Sequence, residues 1–250
     1  MKILVISDIH GNAEALRAVM DAEQDADHVI FLGDALLSGP QPNETAELLA
    51  KLNPDICVIG NHDEEVLDPS HYKKFPAEWV ALNDWLIEQL TPESVELIKT
   101  FTAEGQYQLA GLDMYLHHGN IDKSIGAAWP DQPDECFLSM DNGSGSPFVL
   151  FGHTHVQFER RIGNTRYINP GSVGQPRCGR LHACYGVFLD GHYTPRQVTY
   201  DPTPWLAAIE KVAALEAYPE FRQWHIDGLL NGFGVGEREP WVRYAAEGYC

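Results

Sequence analysis

Three short apolar runs in the first sixty residues constrain this chain more than any other feature. Ile3-Leu4-Val5-Ile6-Ser7, His28-Val29-Ile30-Phe31-Leu32 and Ile56-Cys57-Val58-Ile59 are each of strand length. They are continuously apolar rather than alternating, as strands covered by helices on both faces are. Between the first two runs, Ala15, Leu16, Val19 and Met20 fall at helical spacing and predict a helix over 13–20. Between the second and third, Leu48, Leu49 and Leu52 predict another over 43–52, with Asn43 as its N-cap. Strands and helices alternating in this way build an open α/β sheet. Each run also stops at polar residues: Asp8-Ile9-His10-Gly11-Asn12, Gly33-Asp34 and Gly60-Asn61-His62-Asp63. Open α/β sheets bind ligands outside the carboxyl ends of their strands, which is where these loops fall.

Downstream the period changes. Segments 77–90 and 92–100 read as helices, the second with Thr91 at the N-cap and Pro92 at the first helical position. Segments 106–109 and 112–117 read as a hairpin around Ala110-Gly111, and 119–146 as irregular, with the Gly-Ser run 142–146 a surface loop. Further strands are expected at 148–151, 156–162, 165–168, 184–189 and 192–199, then a helix over 202–217. An aromatic tail with Trp224, Phe233, Trp241 and Tyr244 follows. The expected organisation is one domain over 1–217 and a tail over 218–250 that packs on it or on an oligomer partner.

The charge balance excludes one class of partner. Lys plus Arg number 17 against 36 Asp plus Glu, a net charge of −19. Long polyanions are repelled by such a surface, so no nucleic-acid polymer is expected. A small phosphorylated substrate held by bound cations is still allowed, because a metal reverses the local sign. The five cysteines form no C-x-x-C pair and read as free thiols of a reducing compartment. The N-terminal run lacks the length and cleavage site of a signal peptide, and no stretch approaches the roughly 20 apolar residues of a membrane span. A cytoplasmic protein with no membrane partner is expected.

The chemistry lies in the polar residues taken together. In chain order they are Asp8-x-His10, Gly33-Asp34, Gly60-Asn61-His62-Asp63, His118-Gly119 and Gly152-His153-x-His155. His153 and His155 follow the apolar run 147–151 and, one residue apart in extended backbone, can aim the same way. Carboxylate, imidazole and amide oxygen suit manganese, iron, zinc or nickel, and the lack of Cys argues against a structural zinc site. The set exceeds the needs of one metal. Divided between two, Asp8, His10 and His155 would take one ion and Asn61, His118 and His153 the other, with Asp34 bridging. Metal pairs about 4 Å apart clamp the attacking and leaving oxygens of a phosphoryl displacement and turn a bridging water into a hydroxide nucleophile. Two divalent ions are therefore the expected cofactor, manganese first, with iron, zinc or nickel as alternatives.

These five motifs, in this order, resemble the calcineurin-like metallophosphoesterase family. DIHGNAEAL (8–16), GPQPNE (39–44) and NPGSVGQPR (169–177) are similar to its small bacterial YfcE-like phosphodiesterases and diadenosine tetraphosphatase-related members. The resemblance implies the metallo-dependent phosphatase fold, an α/β (α+β) four-layer α/β/β/α sandwich of two mixed β-sheets flanked by helices. It implies a phosphoric ester hydrolase, acting on small phosphodiesters or (di)nucleoside polyphosphates by in-line attack of a metal-bridging hydroxide. It gives His62 a catalytic role beside the substrate, protonating the leaving oxygen or stabilising the transition state, and the first suits a group that titrates near neutrality. Next to His118 stands His117, and the family pattern favours His118 as the ligand.

Asn169 to Gly174 reads as a turn after a strand. It either supports the site, or its backbone N–H groups and Arg177 touch substrate phosphate; Asn12 is a second candidate substrate contact. The chain departs from the phosphoprotein-phosphatase branch, which has a second Asp soon after Gly-Asp to orient the catalytic histidine. Here Ala-Leu-Leu-Ser-Gly follows Asp34, so protein phosphatase activity is not expected and the partner of His62 is open. Cys178 stands where relatives carry an acid. Glu64-Glu65 and the acid-rich stretch 131–135 read as solvated surface, and His28, His71, His182, His192 and His225 as surface or packing. Trp79, Trp85 and Trp129 are candidates to cover substrate. Two other functions stay open: a phosphomonoesterase on nucleotides or sugar phosphates, and a non-catalytic scaffold of the same fold. A scaffold would show degraded ligand positions, and here all are chemically competent. The aromatic tail can also serve self-association.

Overall fold

The computed structural model describes residues 1–119 and 127–250. The irregular stretch expected over 119–146 therefore lies partly outside the described residues. The first sheet has the order β10-β9-β1-β2-β3. Its strands β1 (Lys2–Ile6), β2 (His28–Phe31) and β3 (Ile56–Cys57) are parallel, while β9 (Ala183–Leu189) and β10 (His192–Val198) run antiparallel to their neighbours. The second sheet is β4-β5-β6-β8-β7, with the hairpin β4 (Gly105–Leu109) and β5 (Leu112–His117), then β6 (Phe148–Phe151), β8 (Thr165–Pro170) and β7 (Gln157–Ile162). Both sheets mix parallel and antiparallel pairs.

Alternation along the strands builds four layers. Ile3 and Val5 of β1 face Met114, Leu116, Leu150 and Ile168 of the second sheet. Leu4 and Ile6 point the other way, onto Leu16 and Val19 of α1 (Ala13–Ala22) and Leu49 of α2 (Pro42–Leu52). On the outer face of the second sheet, Val149 and Phe151 meet Phe137 of α6 (Asp134–Leu138) and Tyr244 of α9 (Trp241–Glu247). Strands buried on both faces have no polar side, hence the unbroken apolar runs.

Several local expectations are corrected. Gln41, not Asn43, caps α2, because Pro42 takes the first helical position. Asn43 instead ties α2 to α5 (Pro92–Lys99), accepting from Thr91 N–H at 3.0 Å and Ser94 Oγ at 2.8 Å. Gly60 to Asp63 is not a loop: α3 (Asn61–Leu67) begins there. The helix expected over 202–217 is two elements, α7 (Thr203–Ile209) and a 3-10 turn (Ala213–Ala217). Lys211 and Val212 bond to carbonyls three residues back, which ends the α-helical ladder while Trp205, Ile209, Val212 and Leu215 keep an apolar stripe.

The tail is ordered and applied to the rest of the chain. In α8 (Pro219–Leu230), Phe221, Trp224 and His225 pack on Trp79 of α4 (Ala77–Gln89). Cys250 is disulfide-bonded to Cys178, with Cys184 Sγ 3.5 Å from Cys250 Sγ, so the reading of five free thiols is corrected. That pairing spans 72 residues and leaves no spacing signature. Among the described residues, no helix is long and apolar enough to cross a membrane.

Candidate metal centre and the cavity above it

The strand ends put the chain into unusual backbone. Asp8, His10, Asp34, His153 and His155 all have positive φ, between 49° and 67°. Left-handed backbone at five non-glycine residues is costly and concentrates at functional sites. Here it turns each side chain off the end of its strand toward one point. The glycines beside them are there for room. A Cβ on Gly60 would collide with the carboxylate of Asp34, and one on Gly152 with Ser7 and Asp8.

Two clusters result, sharing Asp34. In the first, His10 Nε2 lies 3.0 Å from His155 Nε2, and Asp8 Oδ1 lies 3.3 Å from His155 Nε2 and 3.8 Å from His10 Nε2. In the second, Asn61 Oδ1 lies 2.9 Å from His153 Nδ1 and 3.1 Å from His118 Nε2. Asp34 Oδ2 reaches both, at 3.1 Å from His118 Nε2 and 3.8 Å from His10 Nε2. Of the paired candidates, His117 turns away, its Nε2 2.9 Å from Glu104.

The chemistry of this donor set fits cations. Nδ1 of His10, His118 and His155 meets the carbonyls of Leu37, Leu32 and Gln175 at 3.1, 2.7 and 2.8 Å. A nitrogen facing a carbonyl carries a proton, so in the neutral ring each Nε2 presents its lone pair to the centre. Two such nitrogens face each other at 3.0 Å, and carboxylate and amide oxygens close the ring. A convergence of acceptors alone needs a positive charge among them. Burial works against ionised Asp8, but His155 and His10 outweigh it and hold its carboxyl well below the usual range. Burial likewise pushes His153 down to about 3 and His155 to about 4. His118 is raised to about 10, burial being overcome by Asp34.

Outer contacts fix the candidate ligands. Asp63 is fully buried and accepts from the N–H groups of Asp34, Ala35 and Gly60 at 2.8, 2.8 and 2.9 Å, pinning the Asp34 loop to the start of α3. Asp34 Oδ1 accepts from His62 N–H at 2.8 Å. His62 Nδ1 lies 2.8 Å from Glu65 Oε2. The reading of Glu65 as solvated surface is therefore corrected: it is 3% exposed and supplies the partner of His62. Burial lowers the His62 pKa, but Asp34 and Glu65 outweigh it and raise it to about 9. An acid three residues after a histidine at a helix start carries this signal, once the helix is recognised.

Of the two proposed substrate contacts, the structure separates the roles. Asn12 is fully buried; it caps α1 through Ala15 N–H at 3.1 Å and donates to Gly174 and Tyr200. It has no group left for substrate, which corrects that expectation. The Asn169–Gly174 turn is a support: Ser172 Oγ and Gly174 N–H hold the Asp8 carbonyl, and Asn169 holds Gly152 and Thr154. Arg177 does border the open space, a cavity of about 440 Å³ lined by His10, Asp34, Asn61, His62, His153 and His155 on its floor. Its walls carry Trp79 and Trp129 but not Trp85, and add Trp224 and Trp241, which the sequence places in the tail.

The chain is similar to proteins already known. Residues 1–189 match the family described as the calcineurin-like phosphoesterase superfamily domain. An uncharacterized protein of Methanocaldococcus jannaschii, MJ0912, is 31% identical over 205 residues, 74% of this chain and 82% of that protein. Phosphodiesterase YfcE of Escherichia coli K12 is 27% identical over 198 residues, 75% of this chain and 86% of its own. The crystal structure of a metallophosphoesterase from Sphaerobacter thermophilus superposes with a TM-score of 0.64 at 26% identity, covering 84% of this chain and 93% of that one.

Proposed function

Because the chain belongs to the calcineurin-like phosphoesterase superfamily, and is by that membership a phosphoric ester hydrolase, we propose that it uses two divalent cations to hydrolyse small phosphodiesters or (di)nucleoside polyphosphates. The observation that carries this reading is the pair of acceptor clusters that share Asp34. Asp8, His10 and His155 would hold one cation, Asn61, His118 and His153 the other, with Asp34 between them. The ligand chemistry suits manganese first, with iron, zinc or nickel as alternatives. Bound cations would neutralise phosphoryl oxygens and bring the pKa of a water toward neutrality.

The chain's own residues do the rest. His62 borders the cavity with Nδ1 engaged by Glu65, which leaves Nε2 as the free ring nitrogen. A protonated imidazole so held can deliver a proton to a leaving alkoxide or phosphate oxygen. Arg177 faces the cavity as a substrate-phosphate contact. The identity of 27% with a phosphodiesterase supports diesters as the first class to try.

Hydrolysis of bis(p-nitrophenyl) phosphate beside p-nitrophenyl phosphate, in manganese, tests this reading. Preferential diester cleavage that is lost in Asp34→Asn is expected. Monoester preference would replace it with the phosphomonoesterase reading.

A further inference from the structure

One wall of the cavity carries a feature that hydrolysis at two cations does not use. Trp241 is 4% exposed, and two guanidinium groups lie against its ring: Arg177 at 3.7 Å from the centroid and Arg238 at 4.3 Å. Like charges this close repel, so something besides the indole face must favour the arrangement. The arginines that meet carboxylates among the described residues are Arg17, Arg160, Arg166, Arg222 and Arg243. Arg161, Arg177, Arg180, Arg196 and Arg238 do not, and of these Arg177 and Arg238 line the cavity. Arg177 gives one Nη–H to the Thr154 carbonyl at 2.8 Å, while its Nε is buried without an acceptor among the described residues. Nε1 of Trp241 is buried without an acceptor as well. Cations beside a cavity that meet no carboxylate among the described residues are expensive unless a ligand supplies an anion.

Position says what kind of ligand. Thr154 lies between His153 and His155, so Arg177 is anchored to the loop that carries two of the cation ligands. An anion on Arg177 and Arg238 would adjoin a phosphate held over the cations. Phe75, Trp79, Trp129 and Trp224 complete the walls. They offer apolar, aromatic surface of the kind that a planar base covers.

We propose that Arg177, Arg238 and Trp241 form a second phosphate subsite, so that the substrate is a nucleotide-type ester carrying a further, non-scissile phosphate beside the one attacked. This rests on the proposed two-cation hydrolysis and narrows it: a simple diester fills only the floor of the cavity, a nucleoside polyphosphate the floor and the wall.

Competition reads the subsite directly. With manganese-loaded enzyme turning over bis(p-nitrophenyl) phosphate, ADP should inhibit at least tenfold more tightly than AMP. Arg238→Ala and Arg238→Gln should both reduce that ratio to within twofold of unity, and Arg238→Lys should keep part of it. Equal inhibition by ADP and AMP in the wild type, or an unchanged ratio in folded Arg238→Ala and Arg238→Gln, overturns the subsite. Absence of any diester turnover would instead overturn the proposed function. Calorimetric binding of ADP and AMP to the same proteins then decides the subsite by the same ratio.

Discussion

Oε2 of Glu65 lies 2.8 Å from Nδ1 of His62, on the first turns of α3, and Asn83 steadies the same oxygen at 3.3 Å. The carboxylate fixes both the tautomer and the direction of the imidazole. Under the proposed function it takes the role that the phosphoprotein-phosphatase branch gives to an aspartate after Gly-Asp, from a different place in the chain.

Glu65→Gln should therefore lower kcat on bis(p-nitrophenyl) phosphate by about tenfold while KM changes little, as expected when a proton donor is mispositioned and substrate binding is intact. Glu65 raises the His62 pKa, so its removal favours the neutral ring. The alkaline fall of kcat should then move to lower pH in the variant. A pH profile of kcat checks both; an unshifted alkaline limb would leave Glu65 with a packing role only.

Asp63 holds three backbone N–H groups, those of Asp34, Ala35 and Gly60, and does not line the cavity above the candidate centre. Asp63→Ala leaves those donors buried and unmet, a loss on the order of 3 kcal/mol. Manganese affinity should fall with it, because Asp34 and Asn61 lose their common support. Denaturant unfolding and metal titration measure the two effects; a stable variant with undiminished affinity would contradict the bracing role.

His225 sits at ring distances of 4.6 Å from Phe221 and 5.2 Å from Trp79, 1% exposed, and burial pushes its pKa from 6.5 down to about 4. With the folded value depressed, the unfolded chain binds the proton more readily. Stability from this site is present above pH 6.5 and is lost as pH falls toward 4. The expected loss between pH 7 and pH 5 is about 2 kcal/mol. His225→Leu should lose that much less over the same interval. Parallel urea transitions at the two pH values decide it, and equal losses in both proteins would refute the assignment.

The candidate ligands are legible in sequence because each closes an apolar run. Strand ends in an open α/β sheet converge, so Asp8, Asp34, Asn61 and His153 announce a site before any contact is known. Asn12 shares the same stretch yet does another job; a short amide before Ala-Glu-Ala is equally a capping signal, and capping won. Glu65 is hidden because α3 starts at a glycine, with no side-chain cap to mark it, so its spacing from His62 looks like loop. Trp241 and Arg238 are hidden for a different reason. They reach Arg177 only by tertiary packing of a Gly-rich tail, which carries no periodicity pointing to the cavity. The 202–217 helix misleads because its apolar stripe continues through the break.

The central claim is that two cations share Asp34. Electron paramagnetic resonance of the protein titrated with manganese tests it most directly. The account predicts an exchange-coupled multiline spectrum that saturates at two ions per chain and collapses in Asp34→Asn. The simple sextet of isolated manganese, saturating at one ion per chain, would contradict it.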